Sequence, residues 1–274
     1  MRLTGSNMSG LGDRRFFSSD PLVSQGNLLR VRLKTREIPP EGGQISLVGR
    51  GDDNELYYCK DDRGGWPLRM REAVFGQLAR LLDLPTPDYR VIEDEDTGET
   101  FFGSRRHPST VDEFELKRFW RKPTKDDLGR YDGFPGRWLS RLYAYDLFIG
   151  NWDRTIRNIV VQREGVSLRL CPIDFAAAEL GQRSDQHFPV VSCATHRVAR
   201  ELSWFHGFFP DSAEGMLDQI EAVPPSVFES FFRWLPPEWI NVGERETLCE
   251  FWAGDRFRKR LDALRAILKD GVPE

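Results

Sequence analysis

Asp153, Asn158 and Asp174 stand in the stretch Gly150-Asn151-Trp152-Asp153-Arg154-Thr155-Ile156-Arg157-Asn158 and, after two short apolar runs, Ile173-Asp174-Phe175. Transfer of a phosphoryl group from ATP calls for these residue types. One carboxylate takes the proton of an attacking hydroxyl, and a carboxamide with a second carboxylate holds Mg2+ on the phosphates. Asp153 is therefore expected as the catalytic base, with Asn158 and Asp174 as metal ligands. Mg2+ keeps part of its water, so one carboxylate, one carboxamide and the phosphates are a sufficient ligand share. Asp and Asn also flank strands simply as turn formers. A buried helix, Asp, Asn, hairpin and Asp in that order is the rarer pattern and favours chemistry.

Positioning these groups requires a rigid approach and a tight return. From about Arg137, the residues Trp138, Leu139, Leu142, Tyr145, Leu147, Phe148 and Ile149 surround most of a helix, as in a buried one, and Gly150 ends it. Ile159–Gln162 and Ser167–Cys171, joined by Arg163-Glu164-Gly165-Val166, predict a hairpin. It would set Asn158, at the start of one strand, beside Asp174, just past the end of the other.

Upstream, Leu29–Leu33, Gln44–Val48 and Glu55–Lys60 have strand character, with Pro39-Pro40 and Gly42-Gly43 turning the chain between the first two. The loop Gly49-Arg50-Gly51-Asp52-Asp53-Asn54 joins the second and third strands. Its glycines are explained by the turn alone, but a kinase-type glycine-rich loop covers phosphates upstream of a strand-borne lysine. Gly49, Arg50 and Gly51 are therefore expected at the nucleotide. Alternation puts Leu56, Tyr58 and Lys60 on one face, an apolar floor ending in an ammonium. A helix from Arg69 to Leu84 carries Glu72 in its first turn, with Gly76 and Ala79 on roughly the same face, and Glu72 is expected to pair with Lys60. Tyr89–Glu93 and Thr100–Ser104 form a further hairpin, and a hinge is placed at Phe102 to Arg105, with Phe102 and Ser104 at the adenine.

The remaining chain predicts a helix around Phe114, Leu116, Phe119 and Trp120, a mobile activation-type segment from 176 to 196, and helices near 198–209, 214–222 and 226–234. One long last helix is expected from about 244 to 268. The expected organisation is a loosely ordered start (1–27), an N-terminal lobe (28–105) and a C-terminal lobe (106–274).

The chain's 274 residues, with 39% hydrophobic and 30% charged, are those of an ordinary globular protein. A net charge of -4 argues against an electrostatically driven nucleic-acid binder. No apolar run approaches the roughly 18 residues of a membrane span, and the N-terminus lacks a signal-type apolar core. Cys59, Cys171, Cys193 and Cys249 form no metal or disulfide spacing. A reducing, cytoplasmic compartment is expected, with no membrane and no direct nucleic-acid partner.

Phe148-Ile149-Gly150-Asn151-Trp152-Asp153-Arg154 with Asn158 resembles the IGNxDRHxxN loop of HipA-like kinases. Ile173-Asp174-Phe175 is similar to their metal-binding turn, and Leu81-Leu82-Asp83-Leu84-Pro85-Thr86-Pro87 to the LGLPVP ending of their Glu-bearing helix. Kinship to phosphoinositide kinases is weaker. The resemblance implies an α+β, two-lobed protein-kinase-like fold: an N-terminal antiparallel sheet lobe with one key helix, and a mainly helical C-terminal lobe. It implies ATP and Mg2+ as cofactors, Lys60 on phosphate paired with Glu72, Asp153 catalytic, and Asn158 and Asp174 on metal. It further implies a protein substrate with a serine or threonine acceptor, and it leaves room for a regulatory partner protein. Thr155 stands where the family usually has His.

The catalytic set does not name the acceptor. A small-molecule or phosphoinositide-type kinase would use the same residues, with Arg154, Arg157 and Arg183 available for a basic substrate groove. The reading from another class is a nucleotide-binding pseudokinase acting as an interaction module. Such a scaffold has no chemical need of Lys60, Glu72, Asp153, Asn158 and Asp174 together.

Overall fold

A computed structural model of the chain describes residues 30–38, 44–62, 65–123, 125, 128–131, 133–165, 167–181 and 192–272. The expected loose start, the turn at 39–43, and residues 182–191 of the expected activation-type segment, Arg183 among them, lie outside them.

Five strands, β1 (Arg30–Glu37), β2 (Leu47–Gly51), β3 (Leu56–Lys60), β4 (Tyr89–Glu93) and β5 (Thr100–Arg105), form one sheet in the order β1-β2-β3-β5-β4. The expectation of a wholly antiparallel sheet is corrected at one pairing. β1 returns to β4 in parallel, with Arg30 opposite Val91, and this closes the sheet on itself. Val31, Leu47, Tyr57, Cys59, Ile92 and Phe101 fill the interior. Space there is short: a Cβ on Gly49, Gly51 or Gly103 would overlap Leu33, Val31 or Ile92, respectively. Those glycines let the walls meet.

On the outer face, Tyr89, Val91 and Phe102 share the main core with Met70, Val74 and Leu78 of α1 (Leu68–Leu81). Asp83 adopts a positive φ of 58° and the Leu84 amide returns to the Ala79 carbonyl, so α1 stops before Pro85. α2 (Glu113–Arg121) follows, its N-terminus capped by Asp112. α3 (Gly136–Ile149) is buried around nearly its whole circumference and packs against α4 (Ala194–His206), α5 (Pro210–Glu221) and α8 (Asp255–Leu268). β6 (Ile159–Glu164) and β7 (Ser167–Pro172) form the expected hairpin, with Ile159 opposite Pro172. α6 (Pro225–Ser230) and α7 (Val242–Ala253) complete the helical part.

The single long last helix is corrected to two. Gly254 takes an extended conformation between α7 and α8 (φ −102°, ψ 175°), which interrupts the helical hydrogen bonding. No helix among the described residues is long and apolar enough to cross a membrane.

Candidate active site

α3 delivers the loop that carries Asp153. Gly150 sits at the helix C-terminus with φ 71°, a left-handed conformation that glycine adopts without steric cost. At the helix end the Leu147 carbonyl accepts the Gly150 amide at 3.3 Å, and the Leu147 and Phe148 carbonyls are among those that a helix leaves for outside partners. Arg260, buried on α8, donates to both, at 2.8 and 2.7 Å.

The loop beyond is pinned from three sides. Thr195, at the start of α4, donates its hydroxyl to the Asn151 carbonyl (2.7 Å) and accepts from the Arg154 amide (3.1 Å), and its own amide donates to the Trp152 carbonyl (3.3 Å). Asn151 is fully buried and donates to the Asp146 carboxylate at 2.9 Å. The Arg154 guanidinium makes a fork to the same carboxylate (2.8 and 2.9 Å) and donates to the Asn158 carbonyl at 2.9 Å and to the Ile173 carbonyl. Its cation lies 5.2 Å from the Phe175 ring. Arg154 thus joins α3, the loop and the Asp174 turn, and it is not part of an open basic groove. Arg157 is exposed and pairs with Glu113 at 2.8 Å.

Asn158 ends a short 3-10 turn (Ile156–Asn158), and its carbonyl takes the amide of Ile173 at 3.0 Å, so the hairpin closes on it. The Asn158 Nδ2 lies 3.5 Å from Asp174 Oδ2. Asp174 itself has φ 65°, an uncommon conformation for a residue with a side chain. Lys60 Nζ donates to Glu72 Oε1 at 2.6 Å and to Asp174 Oδ1 at 2.7 Å. Glu72 Oε1 also accepts the Phe175 amide at 3.1 Å. Glu72 is expected in the first turn of its helix, but α1 begins at Leu68 and no acidic residue falls there. A role at the helix dipole is therefore excluded, and the ion pair with Lys60 accounts for its burial.

Burial alone would depress the Lys60 ammonium, but Glu72 and Asp174 outweigh it and hold it above its ordinary range. Burial lifts Glu72 above the usual carboxylate range. Burial would also lift Asp174, but Lys60 overrides it and holds that carboxyl low. Asp153 rises to about 6, through burial first and then the nearby charge of Asp174. Its Oδ1 is buried without a hydrogen-bond partner among the described residues, so one acceptor is left that none of them engages.

Lys60, Glu72, Phe102, Ser104, Asn158 and Asp174 all line one cleft of about 530 Å³, shared with Gln44, Ile45, Tyr58 and Tyr89. A cleft of that size suits a small-molecule cofactor. Gly49, Arg50 and Gly51, expected at the nucleotide, are not among the residues that line it. In the register Leu47 faces Cys59 and Arg50 faces Leu56, so the 49–54 turn lies at the far end of β3 from Lys60, about 13 Å away at strand spacing. The chain that leads into the cleft beside Lys60 is the β1–β2 connection, through Gln44 and Ile45.

Sequence reasoning missed Asp146, Thr195, Arg260 and Arg71. Asp146 did leave a signal, as the one carboxylate within the apolar run from Trp138 to Ile149.

A family model described as HipA-like kinase matches residues 39–265. Among solved structures, the proinflammatory kinase CtkA of Helicobacter pylori superposes with a TM-score of 0.52 at 16% identity, over 87% of this chain and 98% of that one. HipA of Shewanella oneidensis, in a complex with HipB and operator DNA, gives 0.44 at 11% identity, over 78% and 60% of the two chains. A Golgi casein kinase with Mn/ADP bound gives 0.46 at 13% identity, over 89% and 74%. No curated protein matches the sequence. At such identities the likeness to CtkA speaks to fold alone, a mixed α+β fold of kinase type.

Proposed function

The chain belongs to the HipA-like kinase family and is a kinase, and from that premise we propose that it transfers the γ-phosphoryl group of ATP, with Mg2+, to a serine or threonine hydroxyl of a protein. The observation that carries this reading is the Lys60 ammonium held between Glu72 and Asp174, with Asn158 beside Asp174, all on one cleft. We further infer two lobes, with the sheet and α1 (28–105) above the cleft and the helical part (106–274) below it.

Each residue then has a task. Lys60 binds phosphate oxygens and is kept charged and aimed by Glu72. Phe102 and Ser104, alternate residues of β5, offer the base an aromatic face and a hydroxyl. Asn158 and Asp174 would hold Mg2+, and the donor set fits it: one carboxylate kept ionised by Lys60 and one carboxamide, with phosphates and water to complete the oxygens. The ion, when bound, neutralises charge on the phosphates. Asp153, with a free carboxylate oxygen, orients the acceptor hydroxyl and takes its proton. A regulatory partner protein and a reducing, cytoplasmic setting complete the reading. All four cysteines are free, in keeping with that setting.

The test is transfer from radiolabelled ATP, with and without Mg2+, into a mixed pool of protein, lipid and small-molecule acceptors, for wild type, Asp153→Ala and Asp174→Ala. Label on protein serine or threonine that vanishes in both variants supports the reading. Label on a lipid or small molecule would move the acceptor class. ATP binding, seen as thermal stabilisation, without transfer to any pool or to itself would leave a pseudokinase. No ATP binding would sink the proposal.

A further inference from the structure

Residues 71 and 72 are neighbours on α1, yet they reach in different directions. Glu72 turns to Lys60 and the Phe175 amide. Arg71 turns to the helical part of the molecule, where its guanidinium meets the Glu244 carboxylate through Nε–Oε1 at 2.6 Å and Nη2–Oε2 at 3.2 Å. Its third nitrogen, Nη1, donates to the Ala176 carbonyl at 3.2 Å, and the Trp66 ring lies 5.2 Å from its cation. The Arg71 side chain is 2% exposed and that of Glu244 9%. Both ends of the Asp174-Phe175-Ala176 turn are thus gripped from α1, one by Glu72 and the other by Arg71.

Pro67, the N-cap residue of α1, offers no side-chain cap, and the first turn holds no acidic residue. Asp62 accepts the Arg69 amide at 2.9 Å and pairs with its guanidinium at 2.8 Å, which ties residue 69 but neither 71 nor 72. The Glu244 end is firm by contrast, because Asn241 caps α7 by accepting the Glu244 amide at 3.0 Å. A planar guanidinium facing a carboxylate through two hydrogen bonds fixes orientation as well as distance. We infer that Arg71 and Glu244 are positioning residues: they hold Glu72 against Lys60 from within the chain. The Glu244 carboxylate takes the part that a phosphate on the activation segment plays in protein kinases whose Glu-bearing helix is set by phosphorylation. Without Glu244, a buried cation is left with the Ala176 carbonyl and the Trp66 ring and no counter-charge. Arg71 must then swing toward water, and the first turns of α1, Glu72 included, follow it.

The inference rests on the nucleotide-site reading, and its test separates the two. Lys60 is labelled with an amine-reactive adenosine sulfonyl fluoride in wild type, Glu244→Gln, Glu244→Asp and Arg71→Lys, at a temperature where circular dichroism shows each to be folded. The KM for ATP and kcat are measured alongside. The expected result is labelling slowed about tenfold and a KM for ATP raised to a similar degree in Glu244→Gln and Arg71→Lys, the equivalent of about 1.4 kcal/mol. Glu244→Asp, which keeps the charge, should recover most of both. Wild type treated with a protein phosphatase should label at its original rate. A lower melting temperature with unchanged labelling and KM would make the pair merely structural and overturn the inference. Slower labelling after phosphatase would return control of α1 to a phosphate and overturn it too. If ATP fails to protect Lys60 in wild type, the nucleotide-site reading itself falls, and the inference with it.

Discussion

The Thr155 hydroxyl donates to Asn158 Oδ1 at 2.9 Å. That bond turns the amide oxygen toward the loop and its nitrogen toward Asp174, and it leaves the oxygen one further lone pair for a cation. Thr155 replaces the histidine usual in the family at this point, so the chain orients its carboxamide with a hydroxyl. Thr155→Val should raise the Mg2+ concentration needed for half-maximal transfer by about 10-fold or more, in line with the loss of an outer partner of a metal ligand. Thr155→Ser should remain close to wild type. Titration of Mn2+ by electron paramagnetic resonance in the presence of ATP reads the same shift without turnover.

Asp153 links activity to pH and to stability in opposite senses. In the proposed role of base it must be ionised, so kcat should fall on the acid side with an apparent pKa near 6. Its folded value lies above the ordinary 3.8 of an unfolded chain, so the unfolded state gives up its proton first as pH rises. Stability is therefore lost between about pH 4 and 6. Asp153→Asn should abolish transfer and yet stabilise the protein at pH 7.5 by roughly 1–2 kcal/mol, allowing for partial exposure. The gain should vanish near pH 4. Denaturant melts at the two pH values check this, and equal gains at both would rule it out.

Gly49 and Gly51 serve the sheet interior. Gly49→Ala should lower stability by about 1–3 kcal/mol through overpacking against Leu33. At a temperature where the variant is folded, the KM for ATP should be unchanged. A raised KM with intact stability would restore these glycines to the phosphate site.

Arg154 and Asp146 form an ion pair in which each side chain is at most 3% exposed. Removing one partner leaves a buried charge, so Asp146→Ala should cost about 3–5 kcal/mol. The double variant Asp146→Leu, Arg154→Met should be less destabilised than Asp146→Ala by thermal melt. It should still transfer slowly, because the Asn158 and Ile173 carbonyls lose their shared donor.

The helix, loop and hairpin that carry Asp153, Asn158 and Asp174 were legible in the sequence because they rest on local signals. The apolar circumference of α3, Gly150 as its stop and the alternation flanking Gly165 announce a helix, a loop and a hairpin, and the hairpin register then follows. Lys60 and Glu72 were legible for a related reason, since strand alternation and helix phase each select one face. The part of Gly49 and Gly51 was ambiguous because glycine carries two meanings, freedom of turn and lack of bulk. Only the closed sheet reveals that Gly49 and Gly51 express the second. The buried ties Asp146–Arg154, Arg71–Glu244 and Arg260 to the end of α3 were not legible. They join residues up to 173 positions apart, and no periodicity encodes a partner at that range.

Arg260 sets an order on the protein's own manufacture. The ribosome releases the chain from its first residue onward, so the loop bearing Asp153 emerges long before the helix whose guanidinium closes the carbonyls of Leu147 and Phe148. A nascent chain ending before α8 lacks that footing. Synthesis must therefore run past Arg260 before the loop is footed, and a product that stops short of α8 is expected to be silent.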